Sequence, residues 1–100
     1  MKEIINNESL DKVSGGDIEN ADAIVVINVA GEVVTIGSSI PAQYAIVYFS
    51  LFNLKAPARR VEFENKKSCS FIEKMARAGA KFDVKVFYSD GSFKEASFTI

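Results

Sequence analysis

Apolar and polar residues alternate along the last part of the chain, which is the pattern of a β-strand with one face in the core and the other in water. In residues 81–88 every second position is apolar, at Phe82, Val84, Val86 and Tyr88. The Asp90-Gly91 pair that follows is a strong hairpin signal. Residues 93–100 therefore form the predicted return strand.

Three further strands are predicted from apolar patterns in the first two thirds of the chain. Residues 23–29 are β-branched and apolar at almost every position, which is typical of a strand buried on both faces. A strand at 32–36 follows the Ala30-Gly31 turn signal. Residues 59–64 alternate around Val61 and Phe63, so they predict another strand with one wet face.

The segment 43–54 fits either a strand or a helix. Its Tyr, Ile, Val and Phe residues favour a long strand. Pro41 would suit the first turn of a helix, and a narrow polar stripe through Gln43, Ser50 and Asn53 would suit its wet face. We favour the strand. The aromatic residues of this segment, Tyr44, Tyr48, Phe49 and Phe52, are predicted to lie in the core.

The segment 69–78 is equally ambiguous. Ser70 and Glu73 have the spacing of a capping box, and Gly79 could end a helix. Phe71 could instead open a strand. Seven candidate strands at spacings near ten residues predict a mostly β fold, a small antiparallel sandwich. The alternative is an α+β fold, with helices near 41–53 and 70–78 on an antiparallel sheet.

The C-terminal quarter carries a family resemblance. Ala-Gly-Ala-Lys-Phe-Asp-Val-Lys-Val at 78–86, Asp90-Gly91 and Ser-Phe-Thr-Ile at 97–100 resemble the last two strands of bacterial immunoglobulin-like and fibronectin type III-like domains. Those families place Tyr where Phe82 stands, and the chain has no Trp. The resemblance implies that the sandwich is immunoglobulin-like.

The first sixteen residues have a different pattern. Their spaced apolar residues Ile5, Leu10 and Val13 would fall within an arc of about 140° on a helix. A narrow apolar stripe on a short polar helix suits docking into a groove. Gly15-Gly16 follows, and glycines can pass a narrow channel to a nucleophile because they have no Cβ. These residues predict a flexible leader with a cut site.

Residues 1–16 resemble the double-glycine leaders of bacteriocin, microcin and peptide-pheromone precursors. That family has apolar residues twelve, seven and four positions from the cut, and Ile5, Leu10 and Val13 stand there. The resemblance implies cleavage between Gly16 and Asp17 by the cysteine peptidase domain of a dedicated ABC transporter. The precursor is then cytoplasmic, the leader is residues 1–16, and the secreted mature domain is residues 17–100.

Composition limits what the mature domain does. The leader holds two of the 12 basic residues and three of the 13 acidic ones, so residues 17–100 hold ten of each. A neutral domain has no electrostatic attraction for nucleic acid or anionic lipid. No stretch reaches the ~20 apolar residues of a membrane span. The basic cluster Arg59, Arg60, Lys66 and Lys67 is interpreted as the charged face of an edge strand.

Little catalytic chemistry is available. The chain has no His, which removes the usual general base and the commonest metal ligand, so we predict no enzyme activity, metal site or cofactor. The single Cys69 is read as a small buried hydrophobe, with a reactive thiol activated by Lys66 and Lys67 as the alternative. We therefore expect a bacteriocin-like or signalling protein that acts by binding a protein or cell-surface receptor. The alternatives are an extracellular adhesive or inhibitory module and a cytoplasmic interaction protein with an incidental leader-like tail.

Overall fold

The protein is mostly β. The structure is a computed structural model that describes residues 18–100, and all regular elements in that range are strands. The prediction of a mostly β fold is confirmed, and the α+β alternative is wrong. The strands are β1 (Ile18–Glu19), β2 (Val25–Ala30), β3 (Val33–Ser38), β4 (Tyr44–Leu51), β5 (Leu54–Lys55), β6 (Arg59–Glu62), β7 (Ser68–Ile72), β8 (Ala80–Phe87) and β9 (Ser92–Thr99).

The segment near 41–53 is strand β4 because its burial alternates with a period of two. Ala45, Val47 and Leu51 are buried, and Phe49 packs against the same core. Strand β4 pairs with β8 along its whole length, from Tyr44 opposite Phe87 to Leu51 opposite Ala80. Its β-branched and aromatic side chains suit that pleated, half-buried surface.

The segment near 70–78 is strand β7 followed by turns. The Glu73 carboxylate accepts a hydrogen bond from the Met75 amide at 3.1 Å, so it closes a local turn instead of capping a helix. Gly79 has a φ of 95°, and a Cβ there would lie 2.7 Å from the Phe52 ring. The glycine therefore serves a close approach between two turns, which explains why its helix-ending signal misleads.

The strands form two sheets. The larger has the order β1-β9-β8-β4-β5, with β6 also paired to β4, and the smaller has the order β2-β3-β7. Among the described residues every strand pair is antiparallel except β1 with β9, which is parallel. The predicted hairpin joins β8 to β9, and Gly91 has a φ of 87° in its turn. There the Ser92 amide and hydroxyl donate hydrogen bonds to the Asp90 carboxylate, which lowers the pKa of Asp90.

One hydrophobic core lies between the two sheets. Val34, Ile36 and Cys69 come from the smaller sheet, and the fully buried Phe82 comes from the larger. The buried Tyr88 hydroxyl is 3.0 Å from the Ser38 hydroxyl, a hydrogen bond between the chain regions of β3 and β8. Phe82, which stands where the resembled families have Tyr, has no hydroxyl to form a hydrogen bond. In this chain Tyr88 supplies a buried hydroxyl that bonds to Ser38.

Strand β2 differs from the prediction of a strand buried on both faces. Its burial alternates between half-buried and exposed, and Val26 is 59% exposed. The reason is that the three-stranded sheet is one layer of a two-layer fold, so one face of each of its strands packs on the core and the other faces solvent. An apolar run is therefore compatible with a strand that is buried on one face alone.

Candidate functional site

The predicted leader and cut site lie outside the described residues. This applies to the proposed recognition residues Ile5, Leu10 and Val13 and to Gly15, Gly16 and Asp17 at the proposed cut. The described range begins at Ile18, two residues beyond Gly16.

Cys69 lies on the inner face of β7 and is only 3% exposed. Burial raises the pKa of its thiol to about 11, and the negative charge of Glu64 adds to the effect. Lys66 and Lys67 are exposed in the preceding loop. Near neutral pH Cys69 is a buried thiol, which argues against the reactive-thiol alternative.

The described residues do not assemble a metal centre. No group of three or more His, Cys, Asp or Glu side chains in residues 18–100 is arranged to hold an ion. Within the same range there is also no helix of the length and hydrophobicity needed to cross a bilayer.

The outer face of the larger sheet carries a row of aromatic residues with cations over it. The Tyr44 and Phe87 rings stack with centroids 4.8 Å apart, and Phe93 continues the row at 6.5 Å from Phe87. The Arg60 guanidinium lies 3.7 Å from the Tyr44 centroid, and the Lys85 ammonium lies 4.3 Å from that of Phe93. Cations at these distances are attracted by the ring faces.

This row ends at a cleft formed by loops. The cleft has a volume of about 460 Å³ and is lined by residues that follow β3, flank β6 and follow β8, among them Gln43, Arg60, Lys66 and Ser89. Arg60 also donates a hydrogen bond to Glu62, which raises its pKa. Glu62 bonds the Arg60 guanidinium at Nε and the Tyr44 ring lies beneath it, while the Arg60 side chain stays 58% exposed at the mouth of the cleft.

A second depression, which we name the side groove, lies between the β5–β6 edge of the larger sheet and β7. It consists of two adjoining cavities of about 380 and 210 Å³ that share Phe49, Ala56 and Glu73. Val47, Phe49 and Phe71 form an apolar floor that is continuous with the core. Arg59 and Glu73 stand at its rim.

The hydrogen bonds of β7 show which of its backbone groups face β3. The Ser38 amide donates to the Lys67 carbonyl, and the Glu73 amide donates to the Glu32 carbonyl, both at 2.8 Å. Bonded pairs alternate along an antiparallel ladder. Between these two ends, Cys69 and Phe71 therefore bond to β3.

The backbone groups of Ser70 and Ile72 consequently point to the other edge of β7. Arg59, at the rim of the side groove, donates to the Ile72 carbonyl at 3.0 Å. Its guanidinium also lies 5.1 Å from the Phe71 ring centroid. The side groove thus combines an apolar floor with strand-edge hydrogen-bonding groups, which is the combination that recognises an extended chain.

Sequence reasoning placed the aromatic residues of 43–54 in the core, and for most of them this is wrong. Only Phe49 packs against the core, whereas Tyr48 is 50% exposed and Phe52 is 77% exposed. Arg59 and Arg60 do lie exposed on β6, as the basic cluster predicted. Their partners across neighbouring strands depend on register, which no local pattern in the sequence encodes.

No known family model and no curated protein matches the chain.

Proposed function

We propose that the chain is a bacteriocin-like or signalling precursor, exported and cleaved after Gly16 by a transporter with a cysteine peptidase domain. The register of Ile5, Leu10 and Val13 against Gly15-Gly16 carries this proposal. The position of the first strand supports it. Because β1 begins at Ile18, a cut after Gly16 leaves all nine described strands on the mature side.

We further propose that the mature domain is an immunoglobulin-like sandwich. The order β9-β8-β4-β6 in the larger sheet and β2-β3-β7 in the smaller supports this. Immunoglobulin-like and fibronectin type III domains also divide their strands between two antiparallel sheets with long-range connections. In this arrangement the 460 Å³ cleft lies at one end, beside the β3–β4 and β8–β9 loops.

The mature domain acts by binding, and the side groove is the surface that best fits this activity. An extended protein segment with alternating apolar side chains is the partner its chemistry favours. Such a segment could place side chains on Phe49 and Phe71 while its backbone bonds to Ser70. The lining offers positive charges at Lys55 and Arg59 and a negative charge at Glu73, so a partner with both charges would be complementary.

Intact-mass analysis of culture supernatant tests the export step. We expect an extracellular species that begins at Asp17. Gly16→Val should abolish this species, because a branched side chain cannot pass a constricted cleft that accepts glycine. Asn7→Val is the matched control, since it makes a similar change outside the apolar stripe, and it should be trimmed normally.

Four outcomes separate the candidate functions. A secreted protein that retains residues 1–16 would contradict the proposed cut. Normal trimming of Gly16→Val would show that the glycines are a linker only. A chain found solely in the cytoplasm would favour the interaction protein, and adhesion by a correctly trimmed domain would favour the extracellular adhesive or inhibitory module.

A further inference from the structure

The outer face of the three-stranded sheet has an unusual composition. The register places alternate residues of β2 from Val26 to Ala30 beside those of β3 from Val33 to Gly37. It places the latter beside those of β7 from Ser68 to Ile72. These nine residues, which we name the uncharged face, include no acidic or basic side chain.

The outer face of the larger sheet is charged by contrast. On β8 alone it presents Lys81, Asp83 and Lys85, and β9 adds Glu95 opposite Lys85. The two faces therefore differ in the desolvation free energy that association would cost. The uncharged face can be removed from water without burying an ion, so its desolvation penalty is comparatively small.

The uncharged face is complementary in size to a rotated copy of itself. Consider a two-fold axis in the plane of the interface and across the strands, which lays β3 on β3 in opposite directions. Val33 then faces Gly37 of the second copy. Val26 faces Ala30 in the same way on β2, and Ile72 faces Ser68 on β7. On each of the three strands a larger side chain meets a smaller one, as interdigitated sheets require.

The middle of the uncharged face is also self-complementary. Asn28, Thr35 and Ser70 form its central row, and the same rotation lays this row on itself. The Thr35 and Ser70 hydroxyls are 3.2 Å apart and already form a hydrogen bond. The polar central row would therefore contact the same row of the second copy, and the residues on either side of it would contact their counterparts. A symmetric interface needs this property because each surface is its own partner.

We propose that the uncharged face binds a second copy of this chain in a weak two-fold dimer. Three strands spaced about 4.8 Å apart, two of six residues and one of five, offer a footprint of about 300 Å². A standard stable interface buries about 800 Å² on each partner. The dimer is therefore transient and becomes populated only at high protein concentration. This surface uses the outward side chains of β2, β3 and β7, whereas the side groove uses the inward Phe71 side chain and the open backbone edge of β7.

Sedimentation equilibrium of the full chain, from about 10 μM to about 1 mM, tests the proposal. We expect the mean mass to rise with concentration and the rise to be described by a monomer–dimer equilibrium. Asn28→Lys should weaken the dimer at least about tenfold, because the rotation brings the two introduced charges together. Asn53→Lys is the matched control, since it adds the same charge in the β4–β5 turn, and it should leave the dimer unchanged.

A second variant guards against misfolding as an explanation. Thr35→Lys places the charge on the central strand, and it should also weaken the dimer while the variant keeps a strand-rich circular dichroism spectrum and a cooperative melt. High salt should partly restore association of either variant by screening. A wild-type chain that stays monomeric at about 1 mM would overturn the proposal. Association that survives both folded variants would do the same, because it would place the contact elsewhere.

Discussion

The Cys69 side chain illustrates how burial controls a single reactive group. Its sulfur lies on the core side of β7, beside the fully buried Val34 and Ile36 of β3 in the packed core. The thiolate form would place a charge in this apolar surrounding, and the negative charge of Glu64 opposes it further. Cys69 is therefore a packing residue whose ionisation is coupled to unfolding.

This coupling predicts a loss of stability at alkaline pH. The pKa of Cys69 rises from 9.0 to about 11 on folding, so the unfolded chain releases this proton first as the pH rises. The free energy of unfolding should fall between pH 9 and about 11, by about 2–3 kcal/mol from this group. Urea denaturation at several pH values measures the effect.

The Cys69→Ala variant is the control for that measurement. It should be less stable at pH 7, because it leaves a small cavity, but its stability should change less between pH 9 and about 11. Contributions from groups common to both proteins cancel in the comparison. Equal pH dependence of the two proteins would contradict the coupling. Rapid alkylation of the native thiol near pH 7 would contradict the burial on which it depends.

Strand β7 makes a prediction at the level of the element. Its hydrogen-bonding pattern assigns Cys69 and Phe71 to β3 and leaves the amides of Ser70 and Ile72 at the open edge. Amide hydrogen exchange should therefore alternate along β7, with Cys69 and Phe71 at least about tenfold slower than Ser70 and Ile72. Two-dimensional NMR of the full chain resolves the four amides.

The amides of β8 are the control for this exchange experiment. Strand β8 is bonded to β4 on one side and β9 on the other, so consecutive amides from Phe82 to Val86 should all be protected. Strong protection of Ser70 in the free protein would show that the β7 edge is already covered. That result would remove the strand-edge groups from the proposed binding surface.

The elements show how far sequence reasoning reaches. Alternation predicts β8 and β9 almost to their ends, because one face of each is buried and the other is wet. Alternation does not decide between helix and strand for 70–78. Ser70, Glu73 and Gly79 have the spacing of helix-capping residues, but in this chain Glu73 and Gly79 stabilise turns. Tertiary pairing of β7 with β3 overrides the local preference.

The candidate surfaces were less predictable than the strands. The side groove brings together Phe49 of β4 and Phe71 of β7, which belong to different sheets. The Arg60–Tyr44 contact joins neighbouring strands through a register that the sequence does not display. Composition alone predicts the zero net charge of residues 17–100, because net charge depends on residue counts and not on which residues are in contact.

At the scale of the molecule, this neutrality predicts that the mature protein does not lyse membranes. Residues 17–100 carry ten basic and ten acidic residues, so they gain nothing from the ~1 kcal/mol per basic residue that attracts polybasic segments to anionic lipid. In β4, Ala45, Val47 and Leu51 are committed to the core and Phe49 packs against it.

Dye release from anionic vesicles measures membrane lysis and so tests this prediction. We expect no release at low micromolar mature protein, under conditions in which a cationic lytic peptide releases the dye. Effects on living cells should instead depend on a receptor and so differ between strains. Release by the protein at these concentrations would overturn the binding activity and favour a pore-forming bacteriocin.

The parallel pairing of β1 with β9 has a mechanical consequence for a protein that is pulled from its N terminus. This pairing covers only two residues of β1, at Ile18 and Glu19, with one further backbone bond from Asn20 to Phe93. Traction at the N terminus therefore detaches β1 first and then reaches β2, which is bonded to β3 on one side only. Hydrogen bonds then break a few at a time, as in unzipping, so the domain would yield gradually to the traction that the proposed export would apply.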